Sequence, residues 1–187
     1  MPSDYMPSQM ETGSMYKFRR RSLLGISVGL FLLYGILNFL LAIITPLSLH
    51  RNGLWSLDGI ILMSDADLAM LGPFAEASKS DLRLSSFLVA FMDTMCAQMM
   101  SFAILQIAVV WFALRRGQMW ALWAAALADL AILPYYSVII QTYAHFGVTS
   151  TGDFWRGLII LAALVLAATA LGWFGLRRAE HPASVTP

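Results

Sequence analysis

Four long stretches of this sequence carry almost no charge, and they limit the folds open to the chain. The stretches from Ser22 to Leu49 and from Gly157 to Leu176 contain no acidic or basic residue. A helix needs about 20 consecutive apolar residues to cross the hydrocarbon core of a bilayer. Two further apolar stretches carry one acid each, Asp93 and Asp129. The sequence therefore predicts an all-α, polytopic membrane protein with a four-transmembrane-helix bundle.

The overall composition agrees with a lipid environment. Charged residues make up 12% of the chain and hydrophobic residues 59%, with a mean hydropathy of +0.70. Soluble domains carry about 25% charged residues, so this chain has too few to cover a water-facing surface. The net charge is +1, and no clustered basic face predicts nucleic-acid binding. We expect the lipid bilayer to be the main partner.

The predicted membrane domain covers residues 22–178, between a flexible tail over 1–21 and a short polar tail over 179–187. The first helix is expected to stop at Pro46, because proline removes a backbone donor, and Pro134 predicts a kink in the third helix. The outer loop 46–83 is too polar to cross a bilayer. Within it, Ser64 is expected to cap a short surface helix. The four helices are predicted at about 23–45, 84–114, 119–143 and 157–176.

The basic residues predict the orientation of the chain. Loops on the cytoplasmic side of a membrane retain Lys and Arg, because translocation of these residues is disfavoured. We therefore expect a multi-pass protein of the cell (inner) membrane with both termini in the cytoplasm. Eight of the 12 basic residues then lie on the cytoplasmic side: Lys17, Arg19, Arg20, Arg21, Arg115, Arg116, Arg177 and Arg178.

The two acids inside the apolar stretches are the clearest functional signal. An Asp at the centre of a membrane helix costs about 2.5–3.5 kcal/mol, so each is expected to face the bundle, pair with a polar group or carry a proton. The turn at 115–118 makes the second and third helices antiparallel neighbours, which places Asp129 level with Leu105 and Gln106. Asp93 then lies roughly 16 Å away in depth. This separation argues against a catalytic carboxylate pair, which needs about 5–10 Å.

Several other polar side chains are expected at similar depths in the outer half of the bundle. They predict a polar layer with two interpretations: a pocket for a small or lipid-like ligand, or hydrogen bonds that join helices at about 0.6 kcal/mol per pair. The candidate ligand-binding residues are Asn38, Asp93, Gln98, Asp129, Tyr136 and Gln141, with Tyr135 in the same layer.

The sequence gives no sign of a metal, cofactor or redox centre. His50, His145 and His181 are far apart and form no HExxH-type spacing, so we predict no metal site. Cys96 is the single cysteine, which excludes an intrachain disulfide and is typical of a small packing residue. No phosphate-binding glycine loop or nucleophile elbow occurs, and no cofactor is predicted.

The segment from Trp111 to Trp123, WFALRRGQMWALW, resembles the hairpin between helices 2 and 3 of small bacterial four-helix membrane proteins, including DoxX-like ones. The resemblance covers the helix layout and this hairpin. It implies an association with membrane oxidoreductase complexes, and it places no catalytic motif on these residues. Four helices with buried acids are also similar to sterol-isomerase and sigma-type receptor bundles.

Three functions are compatible with these features. The first is an accessory, non-enzymatic protein that binds a hydrophobic small molecule or a membrane-protein partner. The second is a small membrane enzyme, isomerase-like or oxidoreductase-associated, that uses Asp93 or Asp129 as a general acid or base. The third is a proton-coupled carrier, which would need a homo-oligomer because four helices are few for transport. The first is the function that we expect.

Overall fold

The computed structural model describes residues 22–52, 69–70, 72–73, 76–77, 79–148 and 152–180. Within these ranges the chain is helical apart from turns, and it contains no strand. Four segments are long and apolar enough to cross a membrane, so the predicted all-α fold with four membrane helices is confirmed. The helices are α1 Leu23–Asn52, α2 Leu82–Phe112, α3 Met119–Leu130, α4 Leu133–His145 and α5 Gly152–Glu180.

Helix α1 is longer than the sequence predicted. The expectation that it ends at Pro46 is wrong, because α1 continues through Pro46 to Asn52. A proline removes one backbone donor, and membrane helices tolerate this loss where neighbouring elements pack around it. Thr45 and Leu49 on either side of Pro46 are buried, so packing holds the end of α1 in helical form.

The third membrane segment is divided into two helices, as the proline predicted. Helix α3 ends at Leu130 and α4 begins at Leu133. Pro134, the second residue of α4, has no amide hydrogen to donate to the carbonyl of Leu130. The predicted kink is therefore confirmed as an interruption of the helix at residues 131–132.

The turn between α2 and α3 is as tight as predicted. Leu114–Arg116 forms one 3₁₀ turn, and the amide of Gly117 donates to the carbonyl of Leu114 at 2.9 Å. Gly117 has φ 84°, a left-handed conformation that glycine adopts without steric cost. Ser64, the predicted cap of a surface helix, lies outside the described residues, as does the predicted tail over 1–21. Of the tail predicted over 179–187, residues 179–180 belong to α5, and residues 181–187 are outside the described part.

The hydrophobic core lies at the end of the bundle that carries Arg115, Arg116, Arg177 and Arg178. It joins the beginning of α1, the end of α2, the beginning of α3 and the second half of α5. Helix α1 packs mainly against α2 and α5, and α3 packs mainly against α5. The core residues are Leu24, Val28, Phe31, Val110, Ala113, Leu114, Ala121, Leu122, Ala125, Ala126, Val165, Ala168 and Leu176.

Small residues allow α1 and α5 to approach closely in this core. A Cβ atom at Gly175 would lie 2.5 Å from the backbone nitrogen of Leu24. Because this is a backbone atom, no side-chain rotation can relieve the clash. Nearby, Ser27 Oγ donates to the carbonyl of Ala168 at 2.6 Å. Gly35 of α1 has the same role toward α2, because its Cβ would lie 2.9 Å from Ile107 Cγ1.

We predict that Gly175→Ala destabilises the bundle by about 1–3 kcal/mol, because the added methyl group forces α5 away from α1. The matched control is Gly29→Ala, whose Cβ would meet nothing within 4 Å. The measurement is thermal unfolding of both variants in detergent. Equal unfolding temperatures for the two variants would contradict the close α1–α5 contact.

Candidate functional site

A cavity of about 510 Å³ lies in the half of the bundle opposite to the arginine-bearing end. It is bounded by the second half of α1, the middle of α2 and the end of α3. Most of its walls are apolar, and Asp129 is the one acidic residue among those that line it. The lining residues are Tyr34, Asn38, Leu41, Thr45, Met92, Met95, Cys96, Gln98, Met99, Phe102, Ala128, Asp129 and Ile132.

The interruption of the third membrane segment accounts for this cavity. Helix α3 packs against α5 and contributes five buried residues, whereas α4 contributes none. Ala128, Asp129 and Ile132 lie immediately before and within the break between these two helices. The cavity between α1, α2 and α3 thus lies where the buried face of the third membrane segment ends.

Asp129 is held in this space by α2. Its side chain is only 2% exposed, and its Oδ2 accepts a hydrogen bond of 2.9 Å from Gln106 Nε2. Gln106 is itself 4% exposed. The sequence predicted that Asp129 lies level with Gln106, and this register is confirmed. A hydrogen bond of this kind satisfies part of the polar requirement of a carboxyl group inside lipid.

Two acceptor atoms at this contact have no partner among the described residues. They are Asp129 Oδ1 and Gln106 Oε1, both buried. Buried acceptors without partners are rare in proteins, because each costs about 1–3 kcal/mol. Asp129 is among the residues that line the cavity, whereas Gln106 is not.

Two other predicted residues, Asn38 and Gln98, line the same cavity. Asn38 Nδ2 donates to the carbonyl of Tyr34 at 3.0 Å, a bond within its own helix. Gln98 is exposed on α2. The structure thus brings Asn38, Gln98 and Asp129 to one cavity, although whether they bind a ligand stays a prediction.

Asp93 lies apart from this group. Its Oδ2 is 2.8 Å from His50 Nε2 at the end of α1, and both side chains are partly exposed. Asp93 Oδ1 has no partner among the described residues, and Asp93 is not part of the cavity lining. The contact links α1 to α2, and it was not predicted from the sequence because α1 was expected to end before His50.

The polar residues of α4 are also outside the lining. Tyr135 is 70% exposed, Gln141 is exposed and Tyr136 is half-buried. They follow the break at residues 131–132, so α4 does not carry them into the space between α1, α2 and α3. They were assigned to the polar layer by their depth along the third segment, and depth alone does not determine which neighbours a side chain faces.

Other residues of the site were not predicted from the sequence. The sequence analysis mentioned Gln106 only because it lies at the depth of Asp129. Gln106 is the one amide side chain at that level of α2, and this was the signal that it pairs with Asp129. Met92, Met95 and Met99 were not among the predicted site residues, yet all three line the cavity. Their spacing of three and four residues indicates a shared face of α2, which was the available signal.

The described residues outside this cavity offer neither a metal site nor a second cavity with polar lining. Within the described part of the chain, no group of three His, Cys, Asp or Glu side chains is arranged to hold a metal ion. A second cavity, of about 310 Å³, has only apolar lining: Phe39, Ile104, Ile107, Ala108, Trp111 and Phe112.

Comparison with known proteins adds no assignment. No protein-family model matches the chain, and no curated protein or solved structure is significantly similar to it. The resemblance to DoxX-like proteins therefore stays a prediction. A role for the chain is inferred from the geometry around Asp129 alone.

We predict that Gln106 and Asp129 are energetically coupled. Gln106→Leu or Asp129→Leu alone leaves a buried polar group without its partner and lowers the free energy of unfolding by about 1–3 kcal/mol. The double variant replaces both groups by apolar ones and is expected to recover most of this loss. Equilibrium unfolding of the four proteins in detergent measures the coupling, and simple additivity of the two losses would contradict it.

Proposed function

We propose that this protein binds a small hydrophobic molecule within the membrane, in the cavity beside Asp129. One observation carries the proposal: a nearly completely buried carboxyl group, with one oxygen free of partners among the described residues, adjoins a mainly apolar cavity of about 510 Å³. Ligand cavities in proteins measure about 300–1,000 Å³ and combine apolar walls with a few placed polar groups. Both features are present here.

The walls of the cavity support an apolar ligand of adaptable shape. Met92, Met95 and Met99 form one wall on α2, and Leu41 and Phe102 contribute further apolar surface. Methionine side chains are unbranched and flexible, so they fit ligands of different outline. Met95 is 51% exposed, which leaves much of its side chain available for contact.

The proposal includes an orientation in which the cavity lies in the outer half of the membrane. The arginine-bearing end, opposite to the cavity, would face the cytoplasm. At that end the guanidinium carbon of Arg115 lies 4.4 Å from the Trp111 ring centre, and that of Arg177 lies 4.2 Å from the Trp173 ring centre. Such cation–π pairs are suited to a membrane interface, where indole rings and basic groups meet the lipid headgroups.

Binding is favoured over general acid or base catalysis by the composition of the lining. Asp129 has no histidine, lysine or second carboxyl group beside it among the described lining residues. The other titratable side chains of the lining, Tyr34 and Cys96, belong to residue types that ordinarily keep their protons at neutral pH, so neither is matched to Asp129 as a base. We therefore propose an accessory, ligand-binding role.

We predict that decan-1-ol stabilises the full-length protein in lipid nanodiscs. Ligand binding to the folded state alone raises stability by about 2.7 kcal/mol at a concentration of 100 times Kd. Ala128→Phe is expected to abolish the stabilisation, because Ala128 is exposed toward the cavity and the ring occupies that space. The measurement is the unfolding temperature as a function of decanol concentration.

The matched control is Ala97→Phe, at an exposed position of α2 outside the lining. This variant is expected to respond to decanol as the unmodified protein does. If decanol has no effect on the unmodified protein, or the same effect on Ala128→Phe, the cavity is not the binding site and the proposed function is wrong.

A further inference from the structure

The second cavity, of about 310 Å³, is a surface groove between α1 and α2, and it shares no lining residue with the cavity beside Asp129. Its α2 residues follow the spacing of one helix face, and Phe39 of α1 completes the lining. Ala108 is the smallest of these side chains and lies between larger ones, which leaves the hollow. The α2 residues of the groove are Ile104, Ile107, Ala108, Trp111 and Phe112.

One end of the groove adjoins a cationic group. Trp111 lines the groove at the end nearest the turn between α2 and α3, and the guanidinium carbon of Arg115 lies 4.4 Å from the centre of the Trp111 ring. A guanidinium group that stacks on a ring uses its face, whereas its N–H donors lie in the plane of the group and match the oxygens of a phosphate. Arg116 follows directly and is exposed.

The positive charge at this end of the groove has no acidic counterpart nearby in the chain. The sequence contains no acidic residue between Asp93 and Asp129, so the end of α2, the turn and the beginning of α3 carry only basic groups. Arg116 forms no ion pair with any residue that the structure describes. Two adjacent arginines therefore favour an occupant with a net negative charge.

The length of the groove matches the depth of one lipid leaflet. Eight residues separate Ile104 from Phe112, which corresponds to about 12 Å along α2 at 1.5 Å per residue. One leaflet contributes about 15 Å, half of the hydrocarbon core. A helix from a second copy would be about 10 Å wide and would cross both leaflets. A groove confined to one leaflet and ending at two arginines fits a lipid chain better.

We infer that this groove holds an acyl chain of an anionic phospholipid from the leaflet at the arginine-bearing end, with the phosphate group at Arg115 and Arg116. Phosphate oxygens accept hydrogen bonds from guanidinium groups, often two at a time. Basic pockets between membrane helices are suited to anionic headgroups. The inference does not rest on the proposed function, because it concerns a different surface of the bundle.

The test measures lipid binding to the full-length protein in detergent by native mass spectrometry, which counts the lipids bound to each protein molecule. Two probes have the same oleoyl chains: dioleoylphosphatidylglycerol carries a net negative charge, and dioleoylphosphatidylcholine is zwitterionic. We expect the phosphatidylglycerol to bind about tenfold more tightly, because each basic group near an anionic lipid strengthens binding several-fold. Glycerophosphoglycerol, the same headgroup without chains, is expected to show no measurable binding.

The arginines of the groove are tested against a matched pair on α5. Arg115→Gln combined with Arg116→Gln is expected to reduce the preference for phosphatidylglycerol to about twofold or less. Arg177→Gln combined with Arg178→Gln removes the same two charges from the same end of the bundle. Arg177 also stacks on a tryptophan, Trp173, at 4.2 Å, but Trp173 does not line the groove. This control is expected to keep the preference.

The chain contact is tested at Ala108. Ala108→Phe fills the groove, and it is expected to weaken the binding of both lipids about tenfold. Ala97→Phe, at an exposed position of α2 outside the groove, is expected to bind both as the unmodified protein does. The comparison of phosphatidylglycerol with its chain-free headgroup uses the unmodified protein, so it tests the chain contact even where Ala108→Phe fails to fold.

Four results would overturn the inference. Equal binding of the two lipids to the unmodified protein excludes selection of an anionic headgroup. An equal loss of preference in the two double arginine variants shows attraction by the overall charge of this end. Unchanged binding to Ala108→Phe, or tight binding of glycerophosphoglycerol, excludes a chain in the groove. A dimer that Ala108→Phe dissociates shows that a second copy occupies it.

Discussion

A carboxyl group inside a bilayer needs a polar partner, and the hydrogen bond between Gln106 and Asp129 supplies one. This bond ties α2 to α3 at the point where the packed core ends and the cavity begins. It uses only one oxygen of Asp129 and leaves Gln106 Oε1 without a partner among the described residues, so the contact is incomplete as a structural bridge. If this hydrogen bond served helix association alone, the acceptor atoms of both side chains would be expected to have partners, because each unpaired buried acceptor reduces stability.

The division of the bundle into a packed half and an open half follows from two local features. Glycine residues on α1 and α5 let the helices approach closely, with Gly175 against the backbone of Leu24. At the other end, Pro134 and the break at residues 131–132 separate α3 from α4, and α4 buries no residue. The clustered core therefore lies at the arginine-bearing end, whereas the half that holds the cavity buries only scattered residues such as Ala42, Leu49 and Cys96.

Hydrophobic length and charge placement were enough to predict the four membrane helices, the tight turn at Gly117 and the level of Asp129 beside Gln106. They failed where a residue's local preference is overridden by packing: Pro46 lies inside α1, and this extension brings His50 to Asp93. The polar layer was predicted only in part. Depth along a helix can be counted from the sequence, but the lateral position of Tyr136 and Gln141 depends on how far the chain turns after residue 130.

We propose that the bundle is closed at its arginine-bearing end and open around Asp129, toward the outer side of the membrane. Cysteine accessibility tests it directly, with Met95→Cys in the cavity and Val110→Cys in the core, each in a Cys96→Ala background. The reagent is a membrane-impermeant methanethiosulfonate added to intact spheroplasts. We expect the reagent to modify the cysteine of Met95→Cys from the outer side of the membrane and to leave that of Val110→Cys unmodified from either side. Protection of Met95→Cys, or its modification only from the cytoplasmic face, would contradict the account.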